Sequence, residues 1–205
     1  MSSKLDKSMI VAGAGLVASI FTALTKKVRE KGGTDEDIHC LARPDGEEIL
    51  DKIADLIVAV KRQVFKVLVD HTESLQEMIK AGQYDWVNDD ITNDHFPIKG
   101  SGQEEKEITL FHFNRSISSN DAIAEMKKAG YSLALIEDLL ALGATYKELQ
   151  KQFPINALGS VWRDPCGDRY VPYLFWDGLE RDLRLLWFVR GWIEYWRFAA
   201  VRNAS

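Results

Sequence analysis

Apolar residues at Ile49, Leu50, Ile53, Leu56, Ile57 and Val60 follow the i, i+3, i+4, i+7 spacing that buries one face of a helix. They predict a helix over 47–60. Upstream, Met9 to Leu24 runs without a charge and continues into Thr25 to Lys31, which predicts an opening helix stopped by Gly32 and Gly33. Thr34 and Asp37 form a start signal for a short helix through Leu41, broken by Pro44 and Gly46. Gln63 to Val69 (QVFKVLV) is β-branched and aromatic and reads as a strand; Ser74 to Ala81 reads as a helix closed by Gly82. Tyr84 to Gly102 carries two Asn-Asp pairs, Pro97, Gly100 and Gly102, and reads as a connector. The sequence thus predicts a mostly helical region over 1–102 with one strand.

A second domain is expected over 103–205. Glu107 to Phe113 predicts a strand, with His112 among apolar neighbours. Ser118 and Asp121 cap a helix from Asn120 to Ala129 that Gly130 ends, and Leu133 to Leu142 predicts another that Gly143 ends. After Pro154 come short strand-like runs, Ala157 to Trp162, Tyr170 to Trp176, Asp182 to Phe188 and Tyr195 to Arg202, parted by Gly167, Gly178 and Gly191. The fold class is therefore α+β, in the order strand, two helices, four strands.

Composition narrows the function. At 205 residues, 46% hydrophobic and 28% charged, the chain can bury a core without a covalent staple. A net charge of -5 gives no long-range pull on phosphate backbones. Met1 to Arg62 balances ten Lys or Arg against ten Asp or Glu, so the helical region lacks the basic footprint of a DNA binder and suits partner docking or self-association. Cys40 and Cys166 lie far apart with no C-x-x-C spacing, which favours a reducing, cytoplasmic setting over a disulfide framework. Lys4 and Lys7 before the apolar run keep export or membrane association through residues 9–24 as the alternative, although 16 residues fall short of the ~20 that span a bilayer.

The C-terminal stretch is the informative one. From Trp162 onward it holds five of the six tryptophans and seven arginines, yet no lysine. Trp, Tyr and Arg lose little entropy for the contact they make and dominate interface hot spots, while lysine is depleted there. Turn and outward strand positions supply the candidate contact residues: Phe175, Trp176, Asp177, Glu180, Arg181, Arg184, Leu186, Val189, Arg190, Ile193, Glu194 and Tyr195. Alternation puts Leu183, Leu185 and Trp187 on the inward face and Arg184, Leu186 and Phe188 on the outward one. Trp187, Trp192, Arg197 and Phe198 are expected to be scaffold.

Three words in order carry a family likeness. Ala129-Gly130-Tyr131-Ser132-Leu133 through Glu137-Asp138-Leu139 resembles a G-Y-R-L helix entry, Leu158-Gly159-Ser160-Val161-Trp162 a G-G-S-W strand, and Trp196 to Arg202 (WRFAAVR) a closing G-F-R-L strand. Over about its last hundred residues the chain resembles the C-type-lectin-like fold, as used by formylglycine-generating-enzyme relatives and by variable proteins of diversity-generating retroelements. The enzymatic use needs a reactive cysteine pair, and Cys166 has no second cysteine in the C-terminal half. Calcium-dependent sugar binding needs E-P-N or Q-P-D with W-N-D, and neither pattern occurs. What the resemblance implies is the variable-protein use: a non-catalytic fold displaying exchangeable side chains, at the candidate positions above, to a protein or other ligand. An enzyme of the sulfatase-modifying fold is the alternative.

No cofactor or metal is expected. His39, His71, His95 and His112 are scattered without metal-ligand spacing, Gly13-Ala14-Gly15 follows no strand and so is no dinucleotide loop, and Asp89, Asp90 and Asp94 lack the glycine and closing glutamate of a calcium loop.

Overall fold

The computed structural model describes residues 18–43, 46–60 and 63–202. The chain divides into two compact units, Met1–Val60 and Lys61–Ser205. The first is helical: α1 (18–30), α2 (Asp35–His39) with a 3-10 turn at Cys40–Ala42, and α3 (Glu47–Val60). Gly32 ends α1 because the chain turns there at φ 85°, a left-handed conformation that costs glycine little. Thr34 starts α2 as its spacing predicts: the Asp37 carboxylate accepts from the Thr34 N–H at 2.7 Å and from its hydroxyl at 2.9 Å. Residues 9–17 of the expected opening helix lie outside the described residues; among those described, no helix is long and apolar enough to cross a membrane.

The second unit holds β1 (Val64–Asp70), α4 (Leu75–Gly82), β2 (Trp86–Val87), β3 (Gln103–Phe111), α5 (Ser119–Lys128), β4 (Tyr131–Leu133), α6 (Ile136–Thr145), β5 (Ile155–Asn156), β6 (Trp162–Arg163), β7 (Arg169–Trp176), β8 (Arg181–Trp187) and β9 (Arg197–Arg202). They form one mixed sheet in the order β1-β3-β9-β5-β7-β8-β2, with β4 added on β9 and β6 on β7. The α+β class holds.

The division of the chain differs from the expected one at Gly102. β1 pairs antiparallel with β3 along its length, from Val64 opposite Thr109 to Asp70 opposite Gln103, so residues 61–102 belong to the second unit. The turns of the 84–102 segment are real, with Gly100 at φ 115° and Gly102 at φ 70°, but turn chemistry is the same within a domain as between two. Two further elements differ. Gly143 does not end its helix, because α6 runs on to Thr145 and a Cβ at Gly143 would collide with the Tyr84 hydroxyl. Of the run 157–162 only Trp162 enters a strand, β6: Gly159 sits where a Cβ would strike the Ala134 carbonyl, which accepts its N–H at 3.0 Å.

Both faces of the sheet are covered. On one, Leu75 and Met78 of α4 and Ile136, Leu139 and Leu140 of α6 pack with Val67, Ile108, Ile155, Leu174 and Leu183. On the other, Ala122 and Met126 of α5 pack with Val171, Phe188, Trp192 and Phe198. Central strands between two apolar layers read as near-continuous hydrophobic runs, which is why VPYL and RFAAVR lack a polar face.

Charge is buried at the start of α6. Lys106 on β3 meets the Asp138 carboxylate at 2.9 Å, and the second oxygen of Asp138 accepts the Leu135 N–H at 2.8 Å. Beside it, burial raises the Glu137 carboxyl above its ordinary range, although the Lys99 N–H donates to it at 3.2 Å. A carboxyl raised on folding supports stability below its unfolded pKa and loses that support as pH rises through the folded one. Glu137→Gln is therefore expected to raise the unfolding midpoint relative to the parent at pH 7 to 8, with the gap closing toward pH 4. Thermal melts across that range check it; a gap independent of pH would reject the assignment.

Candidate functional site

The β7–β8 hairpin and the segment after it carry the candidate residues. Tyr173 lies opposite Arg184 and Phe175 opposite Asp182, so these four share one face. Arg184 is half-exposed and is fixed three ways: its Nε donates to the Asp182 carboxylate at 2.8 Å, and its guanidinium lies 5.1 Å from the Phe175 ring and 5.4 Å from the Trp86 ring. Burial raises the Tyr173 hydroxyl above its ordinary range, against the pull of the Arg184 and Arg190 charges. Trp196 completes the patch, its ring 5.2 Å from that of Tyr173.

The segment 188–196 crosses this same face and is pinned in the middle. Trp192 is fully buried; its N–H and C=O pair with Ile117, each at 2.9 Å, and its indole N–H donates to the Ser119 hydroxyl at 2.8 Å. Ser119 donates in turn to the Phe188 carbonyl. A buried tryptophan needs a partner for its N–H, and here that partner is at the start of α5. On either side of the pin, Val189, Arg190, Ile193, Glu194 and Tyr195 are exposed, Val189 at 73% and Ile193 at 59%. The Tyr195 hydroxyl donates to the Gln152 carbonyl at 3.0 Å, which fixes the ring in place at the surface.

The remaining candidates separate. Asp177 and Glu180 are exposed in the β7–β8 turn, where the Leu179 and Glu180 N–H groups hold the Asp177 carboxyl below its ordinary range. That turn lies at the hairpin end opposite Val189. Phe175 and Trp176 are half-buried, with Lys151 5.0 Å from the Trp176 ring centre.

Arg181 is not a surface contact. At 7% exposure it donates to the carbonyls of Gly82 at 2.5 Å and Gly143 at 2.9 Å and to the Gln150 side chain at 3.1 Å, tying α4, α6 and β8 together. Leu186 is not free either, because it packs on the second core layer with Phe188. Trp187, expected as scaffold, is 52% exposed at the end of β8 on the opposite face, near Tyr170. Trp192 and Phe198 are buried as expected, and Arg197 lies over the Phe153 ring at 4.5 Å.

Trp86, Tyr173 and Trp196 were not among the candidates. Tyr173 could have been found by pairing β7 against β8, where it lies opposite Arg184, whereas Trp196 lies outside both strands in the same aromatic-rich stretch. Trp86 reaches the patch through a two-residue parallel pairing with β8 that leaves no local signal. No protein-family model, curated protein or solved structure matches the chain.

Arg181→Ala leaves buried carbonyls unpaired, and is expected to cost roughly 2–4 kcal/mol in urea unfolding, while Glu180→Ala next to it stays near zero. A loss under about 1 kcal/mol for Arg181→Ala would return it to the list of surface candidates.

Proposed function

We propose that residues 61–205 form a C-type-lectin-like domain that binds a protein ligand, without catalysis, through the face bearing Phe175, Arg184, Arg190, Ile193, Glu194 and Tyr195. The element order supports the fold reading: β3, then α5, the short β4 and α6, then the strands β5 to β9, with β9 returning beside β3. Residues 18–60 are the separate helical region that precedes it.

The observation that carries the function is the pinned segment. Five exposed side chains flank one buried tryptophan, so their identities can change while the backbone beneath them is held. That is the physical requirement for the exchangeable positions of retroelement variable proteins. The patch chemistry agrees, because aromatic rings and an Arg held on ring faces form contacts at small entropic cost. Cys166 lies exposed in the turn between β6 and β7, and the other cysteine belongs to the helical unit, which favours binding over thiol chemistry.

The combined variant Arg190→Ala, Ile193→Ser, Glu194→Ala, Tyr195→Ala is expected to melt within a few degrees of the parent, whereas Trp192→Ala loses about 3–5 kcal/mol. A library randomised at the same four positions and displayed on phage should yield binders to unrelated protein targets. Loss of folding in the combined variant, or a folded library that enriches nothing, would reject the display reading.

A further inference from the structure

Among the described residues, one long edge of the sheet pairs with no further strand. β1 is terminal in the strand order and seven residues long, while the other edge, β2, has two. The Gln63 carbonyl accepts from Leu110 and the His71 N–H donates to Gly102, so odd-numbered backbone groups face β3 and those of Val64, Lys66 and Leu68 face away together with the Asp70 N–H, while the Asp70 carbonyl accepts the Glu73 N–H at 3.2 Å. An edge of this length is a template for another strand unless charge, proline or a bulge blunts it. Here the charges are one Lys and one Asp of opposite sign, Lys66 and Asp70, with no proline in the strand, and the apolar side chains on the same side are open to water, Val64 at 52% and Leu68 at 53%. Grooves of 290 Å³ beside Leu68 and Asp70, and of 550 Å³ beside Phe65, run along α6 next to this edge.

The geometry points to a two-fold dimer of this chain in which β1 pairs antiparallel with β1 of a second copy, centred on Leu68. Antiparallel pairing about one residue sets positions equally distant from it opposite each other. Centred on Leu68, Lys66 meets Asp70 of the second copy, and Asp70 meets its Lys66. All lie on the same side of the sheet as Leu68, which meets its own copy. Charge complementarity picks this register. Lys66 is 84% exposed, with its nearest own carboxylate, Glu107, at 3.8 Å. Asp70 is held in place by the Thr72 N–H at 2.9 Å and the Gln103 amide at 2.7 Å, so little freedom is lost when a lysine arrives. The Leu68 N–H and C=O then exchange hydrogen bonds with their copies. Tyr146 donates to the Lys66 carbonyl at 3.1 Å, which leaves that oxygen its second lone pair for the pairing strand.

Sedimentation equilibrium of the full chain tests the dimer. The parent is expected to dimerise at micromolar concentration. Lys66→Asp and Asp70→Lys, each alone, set like charges opposite at both contacts and weaken association roughly ten-fold or more. An equal mixture of the two variants sets unlike charges opposite at both contacts, and recovers a mixed dimer at parental concentration. If Asp70→Lys does not fold, Lys66→Asp decides alone, with its melting temperature as control. A parent that stays monomeric throughout, a dimer indifferent to Lys66→Asp, or two folded variants that fail to associate when mixed would each overturn the proposal.

Discussion

Covering both faces of one sheet is the constraint on which the second unit rests. On one face two helices do this with ordinary apolar stripes, and their backbone polar groups are satisfied internally. On the other, α5 covers only part, and the segment 188–196, with no regular structure, completes the layer. Irregular backbone over a core must find its hydrogen bonds one by one. The Ile117–Trp192 bridge and the Trp192 indole on Ser119 supply them, so one side chain converts a loop into part of a wall. The exposed positions exist because that conversion needs one residue and leaves its neighbours to face water.

The same constraint explains the polar residues that look misplaced. Arg181 stands in a strand whose neighbours are buried, and its guanidinium reaches the carbonyls where α4 ends and α6 runs close by. Glycine at 82 and 143 makes room for Tyr84, whose hydroxyl burial raises well above its ordinary range, and whose ring Arg181 covers at 5.2 Å. An arginine can satisfy several carbonyls at once through its planar fork, which a lysine cannot. The choice of arginine over lysine at 181 thus has a structural source in those converging carbonyls.

Local chemistry was legible and pairing was not. The helix over 47–60 and the starts at Thr34, Ser74 and Ser118 follow from caps and periodicity, which act within one turn. The strand alternation failed in β8 for a definite reason: with apolar layers on both sides, Leu183 and Leu185 enter one layer while Leu186 and Phe188 enter the other, so no face is left to read as outward. Trp187 then escapes to solvent only because the strand ends there. Arg181 was misread because a charge in a strand signals exposure unless distant carbonyls converge on it, and those of Gly82 and Gly143 lie 99 and 38 residues away. Arg190, Ile193, Glu194 and Tyr195 are exposed as their turn positions predict, because turn residues face water whatever the register.

Strand order also separates the two surfaces of interest. From β1 to β8 the path crosses β3, β9, β5 and β7, and five inter-strand steps of about 4.8 Å put roughly 24 Å between the open edge and the hairpin that carries Arg184. A copy paired on β1 therefore leaves the aromatic face free, and the pair presents two such faces joined through one continuous sheet. Joined faces on a ligand that repeats act as one bivalent binder, with gains of order 10² to 10⁴ over a single contact when the spacing fits and none when it does not. Weak contact by a few exchangeable side chains would then suffice for retention, which relaxes the demand on any one of them and makes tolerance of change at Ile193 or Tyr195 compatible with binding.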